Sequence, residues 1–308
     1  MIEYYHKTSK DDYFLSISAP QEGCWIHCEE ATAEDIEELS KITGIDAIDL
    51  HDSLDRFEIP RIEKVRDHAL IYCRHPIELD AAVGLYTATL TMVVTPNYFI
   101  TISPQKNPLL RSFLSKPTKC TTLQRSKLVI NILMRINQEF TTQIRKVRHN
   151  VLTKGKEMIQ VESEDIATLT RHEEILNQYL STLEPMRDVL EGITSGSYTD
   201  IYEKDHQLID DLLNAVKQSE NLCTIAVKTI RGLRDSYNII FTNNLHRTIK
   251  LLTSLTIIFN IPTMIASLYG MNVDLPLARN SNAFMLILTI ITMLSAFGLY
   301  VFRRKRWL

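Results

Sequence analysis

Two long segments near the C-terminus contain no charged residue. They cover residues 251–273 and 280–302, and each is 23 residues long. At about 1.5 Å per residue, either segment would form a helix of roughly 35 Å, which exceeds the ~30 Å hydrocarbon core of a bilayer. Neither lies at the N-terminus, where a signal peptide would be found. The pattern therefore predicts two transmembrane helices, at 251–273 and 283–302, joined by a short loop at 274–282.

Ahead of these segments, the hydrophobic pattern changes once, from one typical of strands to one typical of helices. Residues 1–118 contain alternating and β-branched runs, which are typical of a mixed α/β domain. Strands are predicted near residues 13–18, 68–74, 86–94 and 98–102, and Thr32 is the predicted N-cap of a helix that ends near Thr43. Residues 119–250 show the helical period instead. Helices are predicted there at about 123–160, at 163–190 with a kink or end near Pro185 and a turn at 192–196, and from about 200 onward.

The third of these helices carries small or apolar side chains at the 3.5-residue spacing of a coiled-coil seam. The seam consists of Leu208, Leu212, Ala215, Ser219, Leu222, Ala226, Thr229, Leu233, Ser236 and Ile240. One interpretation is a helix that packs in the core of its own domain. However, no proline occurs before Pro262, so residues 205–268 are predicted to form one helix of roughly 95 Å. A helix of that length indicates a stalk that joins the α/β domain to the membrane.

The first uncharged segment has a polar face. Its polar side chains are spaced by three or four residues, and they are Thr253, Thr256, Asn260, Thr263 and Ser267. Towards the stalk, Lys250, His246 and Asn243 continue the same face. Such groups hydrogen-bond to a neighbouring helix or line a water-filled path. Two helices per chain do not enclose a pore, so the second interpretation requires an oligomer with this helix innermost. Neutral oxygen atoms suit a hydrated cation such as Mg²⁺, which loses its water reluctantly.

The distribution of charge predicts the orientation and excludes some functions. The basic tail at residues 303–306 directly follows the second segment, and basic residues beside a span stay in the cytoplasm. Both termini are therefore expected in the cytosol, with the loop outside. Residues 1–250 carry 29 basic and 36 acidic side chains, which argues against nucleic acid as a partner.

The sequence offers little sign of an enzyme or of a resident cofactor. The five cysteines fit a reduced, cytosolic body. Cys24, His27 and Cys28 give weak support for zinc, because a lone C-x3-C spacing has no second ligand pair and equally fits core cysteines. No nucleophile–base motif and no glycine-rich nucleotide loop is found in the sequence, so no enzyme and no organic cofactor is predicted.

The end of the first segment reads Tyr269-Gly270-Met271-Asn272, and the chain ends in Lys305-Arg306-Trp307-Leu308. With two terminal spans, these motifs closely resemble the CorA magnesium transporter family. Shorter similarities to the family are Leu251-Leu252-Thr253, Ile261-Pro262-Thr263 and Arg61-Ile62-Glu63-Lys64. The resemblance covers the whole plan: an α+β membrane protein with an N-terminal α/β cytosolic domain, a long helical stalk, two C-terminal transmembrane helices and a basic tail.

The resemblance implies a funnel-shaped homopentamer in the plasma (bacterial inner) membrane that takes up hydrated Mg²⁺ passively. Gly270, Met271 and Asn272 would form the selectivity filter, with Tyr269 shaping the turn. The other implied roles are a hydrophobic constriction at Ile249 and Leu252, a basic collar at Arg303, Arg304, Lys305 and Arg306, and a regulatory Mg²⁺ site at Asp210 and Asp211. Two solvated carboxylates on a helix face are the alternative interpretation of that last pair.

The chain also departs from the family pattern. Asn260 takes a position where many members have methionine, so the middle of the pore becomes more polar. The outer loop has one acidic residue, Asp274, which weakens the attraction of cations to the mouth. Two alternatives stay open: transport of Co²⁺, Ni²⁺ or Zn²⁺, for which His246 is a softer ligand, and a membrane-anchored coiled-coil scaffold without transport.

Overall fold

A computed structural model describes residues 1–80, 84–157, 162–195, 205–273, 276 and 282–307. The chain divides into two compact units. The first comprises Met1–Met158 and Ala167–Leu233, and the second comprises Ile159–Ile166 and Arg234–Leu308. Most of the predicted outer loop at 274–282, including Asp274, lies outside the described residues, as does the end of the predicted turn at 192–196.

The first unit contains a seven-stranded sheet in the order β2-β1-β3-β7-β6-β5-β4. The strands are β1 (Ile2–His6), β2 (Leu15–Ile17), β3 (Trp25–Glu29), β4 (Arg61–Val65), β5 (His68–Asp80), β6 (Leu85–Val94) and β7 (Phe99–Ser103). β3 pairs with β7 in parallel, and the other neighbours pair antiparallel. The four predicted strands correspond to β2, β5, β6 and β7.

Helices cover both faces of this sheet. Ile26 and Ile100 pack on one face against Ile36 and Leu39 of α1 (Ala33–Thr43). On the other face Trp25 packs against Phe113 of α3 (Pro108–Leu114), with ring centroids 6.1 Å apart. Between them in the chain lie α2 (Ala47–His51) and a 3₁₀ turn (Asp52–Leu54). Both faces of β3 and β7 are therefore buried, as expected for parallel strands.

Local sequence determines the ends of α1. The Thr32 side chain accepts a hydrogen bond from the Asp35 backbone, and the Asp35 carboxylate accepts one from the Thr32 backbone. This capping box satisfies two backbone donors that the first turn leaves free. The helix ends at Gly44, whose φ of 74° lies in the left-handed region that favours glycine. The helix predicted from Thr32 to about Thr43 is confirmed.

Three long helices follow: α4 (Arg125–Glu157), α5 (Ser163–Thr194) and α6 (His206–Tyr269). α5 continues through Pro185 and Gly192, so the turn predicted from Gly192 begins too early. The reason is apolar packing beyond the proline, where Met186, Leu190 and Ile193 are buried. Burial of this stripe outweighs the backbone hydrogen bond that the proline removes.

α6 is 64 residues long, or about 96 Å, as the absence of a helix breaker predicted. Within the first unit its buried side chains are Ile209, Leu212, Val216, Ser219, Cys223, Ala226, Val227 and Ile230. Only every second position of the predicted seam is fully buried here, at Leu212, Ser219 and Ala226. This part of α6 therefore packs in the core of its own unit, where the Arg231 Nε donates to Glu173 on α5 at 3.0 Å.

The second unit contains the rest of α6 and α7 (Ala283–Arg304). Both helices are long and apolar enough to cross a membrane, and the rest of the chain buries almost none of their apolar segments. Exposed apolar surface of this extent is unusual for a soluble chain. Both predicted membrane-spanning segments form helices, but α6 ends at Tyr269, so the last four residues of the first predicted span (270–273) lie beyond the helix end.

Candidate functional site

One face of the first span packs against α7. Gly298 on α7 lies so close that an added Cβ would be 3.7 Å from Ile261 Cδ1 and 3.9 Å from Ile258 Cγ1. Ser254 on the same face of α6 is completely buried, and Ile265 is partly covered. These residues are spaced by three or four positions, so they form a continuous contact face.

The polar face of the first span points away from this contact. At ~100° per residue, it lies roughly 150° around the helix from the face that packs on α7. All five of its side chains are exposed in the chain: Thr253, Thr256, Asn260, Thr263 and Ser267. The second span therefore does not cover the polar groups that the first span brings into the membrane. Hydrogen bonding between the two spans of one chain does not explain this face.

Two hydroxyl groups on the polar face donate their protons to their own helix. Thr256 Oγ1 donates to the Leu252 carbonyl at 2.9 Å, and Thr263 Oγ1 donates to the Phe259 carbonyl at 2.9 Å. A hydroxyl oxygen keeps acceptor lone pairs when its proton is used in this way. These positions therefore present hydrogen-bond acceptors outward, with the Asn260 amide between them.

The four residues of the Tyr269–Asn272 motif lie together where α6 ends. The Gly270 backbone N–H donates to the Ala266 carbonyl at 3.0 Å, and Met271 donates to Leu268 at 3.3 Å. Tyr269 Oη donates to the Pro276 carbonyl at 3.2 Å. Gly270, Met271 and Asn272 are exposed, so these three predicted filter residues remain accessible in the single chain.

The geometry of Gly270 gives no reason within one chain for a glycine. Its φ is not in the left-handed region. An added Cβ would lie 3.4 Å from the Ala266 carbonyl oxygen and 3.5 Å from that of Ser267, which are ordinary contact distances. Any steric requirement for glycine would have to come from a neighbouring subunit or from an ion.

At the other end of the polar face lie the residues of the predicted constriction. Ile249 and Leu252 are 57% and 63% exposed, so the chain itself covers neither apolar side chain. His246 is also exposed, one turn earlier on α6. The structure places all three on one uninterrupted helix with the polar face.

The basic tail closes α7 in a defined C-terminal cap. Arg306 has a φ of 55°, its N–H donates to the Arg303 carbonyl, and the Trp307 N–H donates to the Phe302 carbonyl. This is the Schellman arrangement, and the Trp307 ring stacks on Phe302 at 5.6 Å. Arg303, Arg304, Lys305 and Arg306 are all exposed at this helix end, where cations are favourable.

Asp210 and Asp211 are both exposed near the start of α6. In the part of the chain that the structure describes, no group of three or more His, Cys, Asp or Glu side chains is arranged to hold a metal ion. The pair alone is thus too small for a divalent-cation site, and a complete site would need ligands from elsewhere.

Cys24, His27 and Cys28 do not form a metal site. Strand alternation places Cys24 and Cys28 in the core with α1, whereas His27 points to the opposite face. There His27 Nδ1 hydrogen-bonds with Thr101 Oγ1 at 2.9 Å. Burial raises the pKa of Cys28 to about 12, which keeps its thiol protonated. The interpretation as core cysteines fits, and all five cysteines are buried and unpaired.

Sequence reasoning missed the contacts that order the two spans. The only sequence signal for the helix contact is Gly298, a single glycine within an apolar helix, which often marks close packing. The bond from Tyr269 to Pro276 had no separate signal, because it joins a motif residue to a backbone carbonyl in the loop.

Comparison with known proteins identifies relatives over nearly the whole chain. The family described as "CorA-like Mg2+ transporter protein" matches residues 20–304. The cobalt/magnesium transport protein CorA of Methanocaldococcus jannaschii is 27% identical over 299 residues, which is 92% of this chain and 91% of that protein.

Solved structures give the same result for the fold. The complete CorA magnesium transporter from Methanocaldococcus jannaschii matches with a TM-score of 0.77 and 21% identity, over 100% of this chain and 99% of that one. The full-length CmaX protein matches with a TM-score of 0.74 and 17% identity, over 100% and 98% of the two chains.

These matches confirm the predicted architecture: an N-terminal α/β domain, a long helix and two C-terminal helices suited to a membrane. The chain therefore belongs to the CorA-like Mg²⁺ transporter family, whose members are membrane transporters for divalent cations and not enzymes.

Proposed function

We propose that this chain assembles as a homopentamer, with a funnel-shaped cytosolic body, and forms a pore for passive uptake of hydrated Mg²⁺ across the plasma membrane. The observation that carries the proposal is the polar face of α6, which is exposed and lies opposite the contact with α7. Five uncovered polar side chains are unfavourable against lipid. Several copies with this face innermost would surround a water-filled path.

The chemistry of this face suits a hydrated cation. The water shell of Mg²⁺ presents O–H donors outward, and the outward oxygens of Thr256 and Thr263 are acceptors. No carboxylate is needed, because the ion would keep its inner water. A potential of about 100 mV, negative inside, favours entry of a divalent ion by about 4.6 kcal/mol, so no ATP is required.

In this proposal, Asn272 presents its amide oxygen to the hydrated ion at the outer mouth, and the Gly270 carbonyl assists. Tyr269 and Met271 shape the turn, with Tyr269 held by Pro276. At the cytosolic end, Ile249 and Leu252 form an apolar constriction that closes by dewetting. The basic tail forms a collar there, with both termini in the cytosol.

Ion flux into proteoliposomes tests the pore. Asn272→Ala is expected to lower Mg²⁺ uptake by about tenfold or more, because the mouth loses its ring of amide oxygens. Asn282→Ala is the matched control: it makes the same chemical change just before α7, where the Asn282 side chain forms no capping hydrogen bond. Equal uptake by wild type and Asn272→Ala would refute the assigned filter.

We further propose that cytosolic Mg²⁺ closes the pore by binding Asp210 and Asp211 between neighbouring subunits. The support is their exposure on α6, the helix that continues into the span. Asp210→Asn with Asp211→Asn should leave uptake active at high internal Mg²⁺. The control pair is Glu37→Gln with Glu38→Gln, adjacent exposed acids on α1. If internal Mg²⁺ inhibits both double variants equally, these aspartates are not the sensor.

Co²⁺ is the second candidate for the transported ion, and Ni²⁺ and Zn²⁺ are further alternatives. The relative at 27% identity is named a cobalt/magnesium transport protein, and His246 offers an exposed imidazole on the same helix. His246→Ala should lower Co²⁺ uptake more than Mg²⁺ uptake in the same vesicles. Absence of flux for all four ions would instead support a membrane-anchored scaffold.

A further inference from the structure

Asn260 lies at the centre of the first span. It is nine residues after Leu251 and nine before the helix end at Tyr269, so about 14 Å of helix extends on either side. Its side chain is exposed in the chain, on the face turned away from α7. At this depth the carboxamide meets water only if the helix face lines a water-filled path. An amide without hydrogen-bond partners in hydrocarbon is strongly unfavourable.

The neighbours of Asn260 on this face leave it few donors within the chain. Thr256, four residues earlier, and Thr263, three residues later, both donate to their own helix. What they present outward is acceptor oxygen. Together with the Asn260 amide oxygen they form an acceptor belt about 10 Å long at mid-membrane. A hydrated cation is the ligand that supplies donors to such a belt without requiring a fixed negative charge.

We propose that the Asn260 side chains of the assembled subunits form a second binding site for the hydrated cation and keep the middle of the pore wet. This inference rests on the proposed pore and adds a site to it. The apolar part of the path is then confined to Ile249 and Leu252. The mouth at Asn272 selects the ion, and the Asn260 ring receives it on the way through.

Cysteine substitution next to Asn260 tests whether the middle of the pore is wet, and the chain suits the method. All five native cysteines are buried in the first unit, so a new thiol on the polar face would react against a low background. The variants are Thr263→Cys and the control Leu255→Cys. Thr263 lies one turn after Asn260 on the polar face, so the amide stays in place, whereas Leu255 lies off the polar face and is 36% exposed in the chain. The probe is a charged methanethiosulfonate reagent, which reacts with thiolate in water and does not enter lipid.

The full-length protein in proteoliposomes is expected to react at Thr263→Cys about tenfold or more faster than at Leu255→Cys, because only the first thiol meets water. Saturating Mg²⁺, or the additional change Asn260→Leu, should slow the reaction at position 263 and leave the reaction at position 255 unchanged. Equal, slow reaction at both positions in a chain whose wild type conducts Mg²⁺ would overturn the inference and leave the proposed pore intact. A wild type without flux would refute the proposed function itself.

Flux through two further variants tests the acceptor oxygen. Asn260→Leu replaces the amide by an apolar group of similar size and should lower maximal Mg²⁺ uptake by about tenfold, with the half-saturating concentration changed little. Asn260→Thr keeps an acceptor oxygen and should retain most of the uptake. Size-exclusion profiles establish that both variants assemble. Normal flux in Asn260→Leu, or loss of flux in an assembled Asn260→Thr, would overturn the proposal.

Discussion

Tyr269 Oη donates a hydrogen bond to the carbonyl oxygen of Pro276 at 3.2 Å. The bond ties the last residue of α6 to the segment that follows the Gly270–Asn272 motif. Asn272 lies between the two anchored points, so its position depends on both the helix end and this side chain. The predicted filter is therefore held at two places although its own residues are exposed.

Tyr269→Phe removes this bond and keeps the ring. A hydrogen bond contributes about 1 kcal/mol net, so the ordered form of the mouth should become about fivefold less populated. We expect the half-saturating Mg²⁺ concentration for uptake to rise by a similar factor. Tyr300→Phe on α7 is the control, since it removes the same hydroxyl from an exposed position in the other span. Identical uptake curves for Tyr269→Phe and wild type would show that the bond does not order the mouth.

Two glycines in the spans should respond differently to alanine. An added Cβ at Gly270 or at Gly298 finds no close clash within the chain, so both variants are expected to fold and insert. Gly270→Ala should nevertheless lower Mg²⁺ uptake by about tenfold, because the proposed ring brings this backbone close to the ion and to its neighbours. Gly298→Ala should keep nearly normal uptake. Comparable Mg²⁺ uptake by Gly270→Ala and Gly298→Ala would show that Gly270 is not part of the filter.

The sequence was most informative where structure is local. The ends of α1 follow from Thr32, Asp35 and Gly44, which act within one helical turn. The length of α6 follows from the lack of a breaker. By contrast, β3 was not predicted, because Glu29 is buried through an ion pair with Arg111 that lies 82 residues away. β1 and β4 were missed as well, since their charged and polar residues hide the strand pattern.

The candidate site shows the same division. Residues at helical spacing, such as Thr256 and Asn260, were assigned to one face from the sequence alone, and the continuous helix bears this out. The direction of that face required the contact of Gly298 with Ile258, which depends on how two helices pack side by side. The sequence of one chain does not say which faces of two helices meet. Contacts between subunits depend in addition on how several copies of the chain assemble.

Arg74 fastens the loop between the 3₁₀ turn and β4 to the sheet. Its guanidinium is almost fully buried and donates to the carbonyls of Arg56 at 2.8 Å and Glu58 at 3.0 Å, and to Thr87 at 2.8 Å. Arg74→Leu would leave these buried acceptors without donors. We expect the free energy of unfolding to fall by about 3 kcal/mol, measured by denaturant unfolding of the full chain in detergent.

A surface arginine provides the comparison for this effect. Arg148→Leu changes an exposed residue on α4 and should alter the free energy of unfolding by less than about 0.5 kcal/mol. If Arg74→Leu were no more destabilising than Arg148→Leu, the hydrogen bonds of Arg74 would not hold the loop.

Stability should also depend on pH through His75. Burial lowers the pKa of this imidazole from 6.5 to about 4, against the smaller opposing effect of its hydrogen bond with the Pro76 carbonyl. The unfolded chain binds a proton near pH 6.5, whereas the folded chain binds it only near pH 4. The stabilising contribution is therefore complete above pH 6.5 and is lost as the pH falls towards 4. The full loss would be about 3 kcal/mol.

His75→Gln isolates this contribution because glutamine does not titrate. Thermal unfolding of the full chain in detergent, measured between pH 7 and pH 4, should show a shallower decline in stability for His75→Gln than for wild type. His149→Gln is the matched control, since His149 is exposed on α4 and should leave the slope unchanged. Parallel declines in wild type and His75→Gln would mean that other buried groups, such as His27, carry the acid sensitivity. The pKa of His27 is also lowered by burial, so it would act in the same direction.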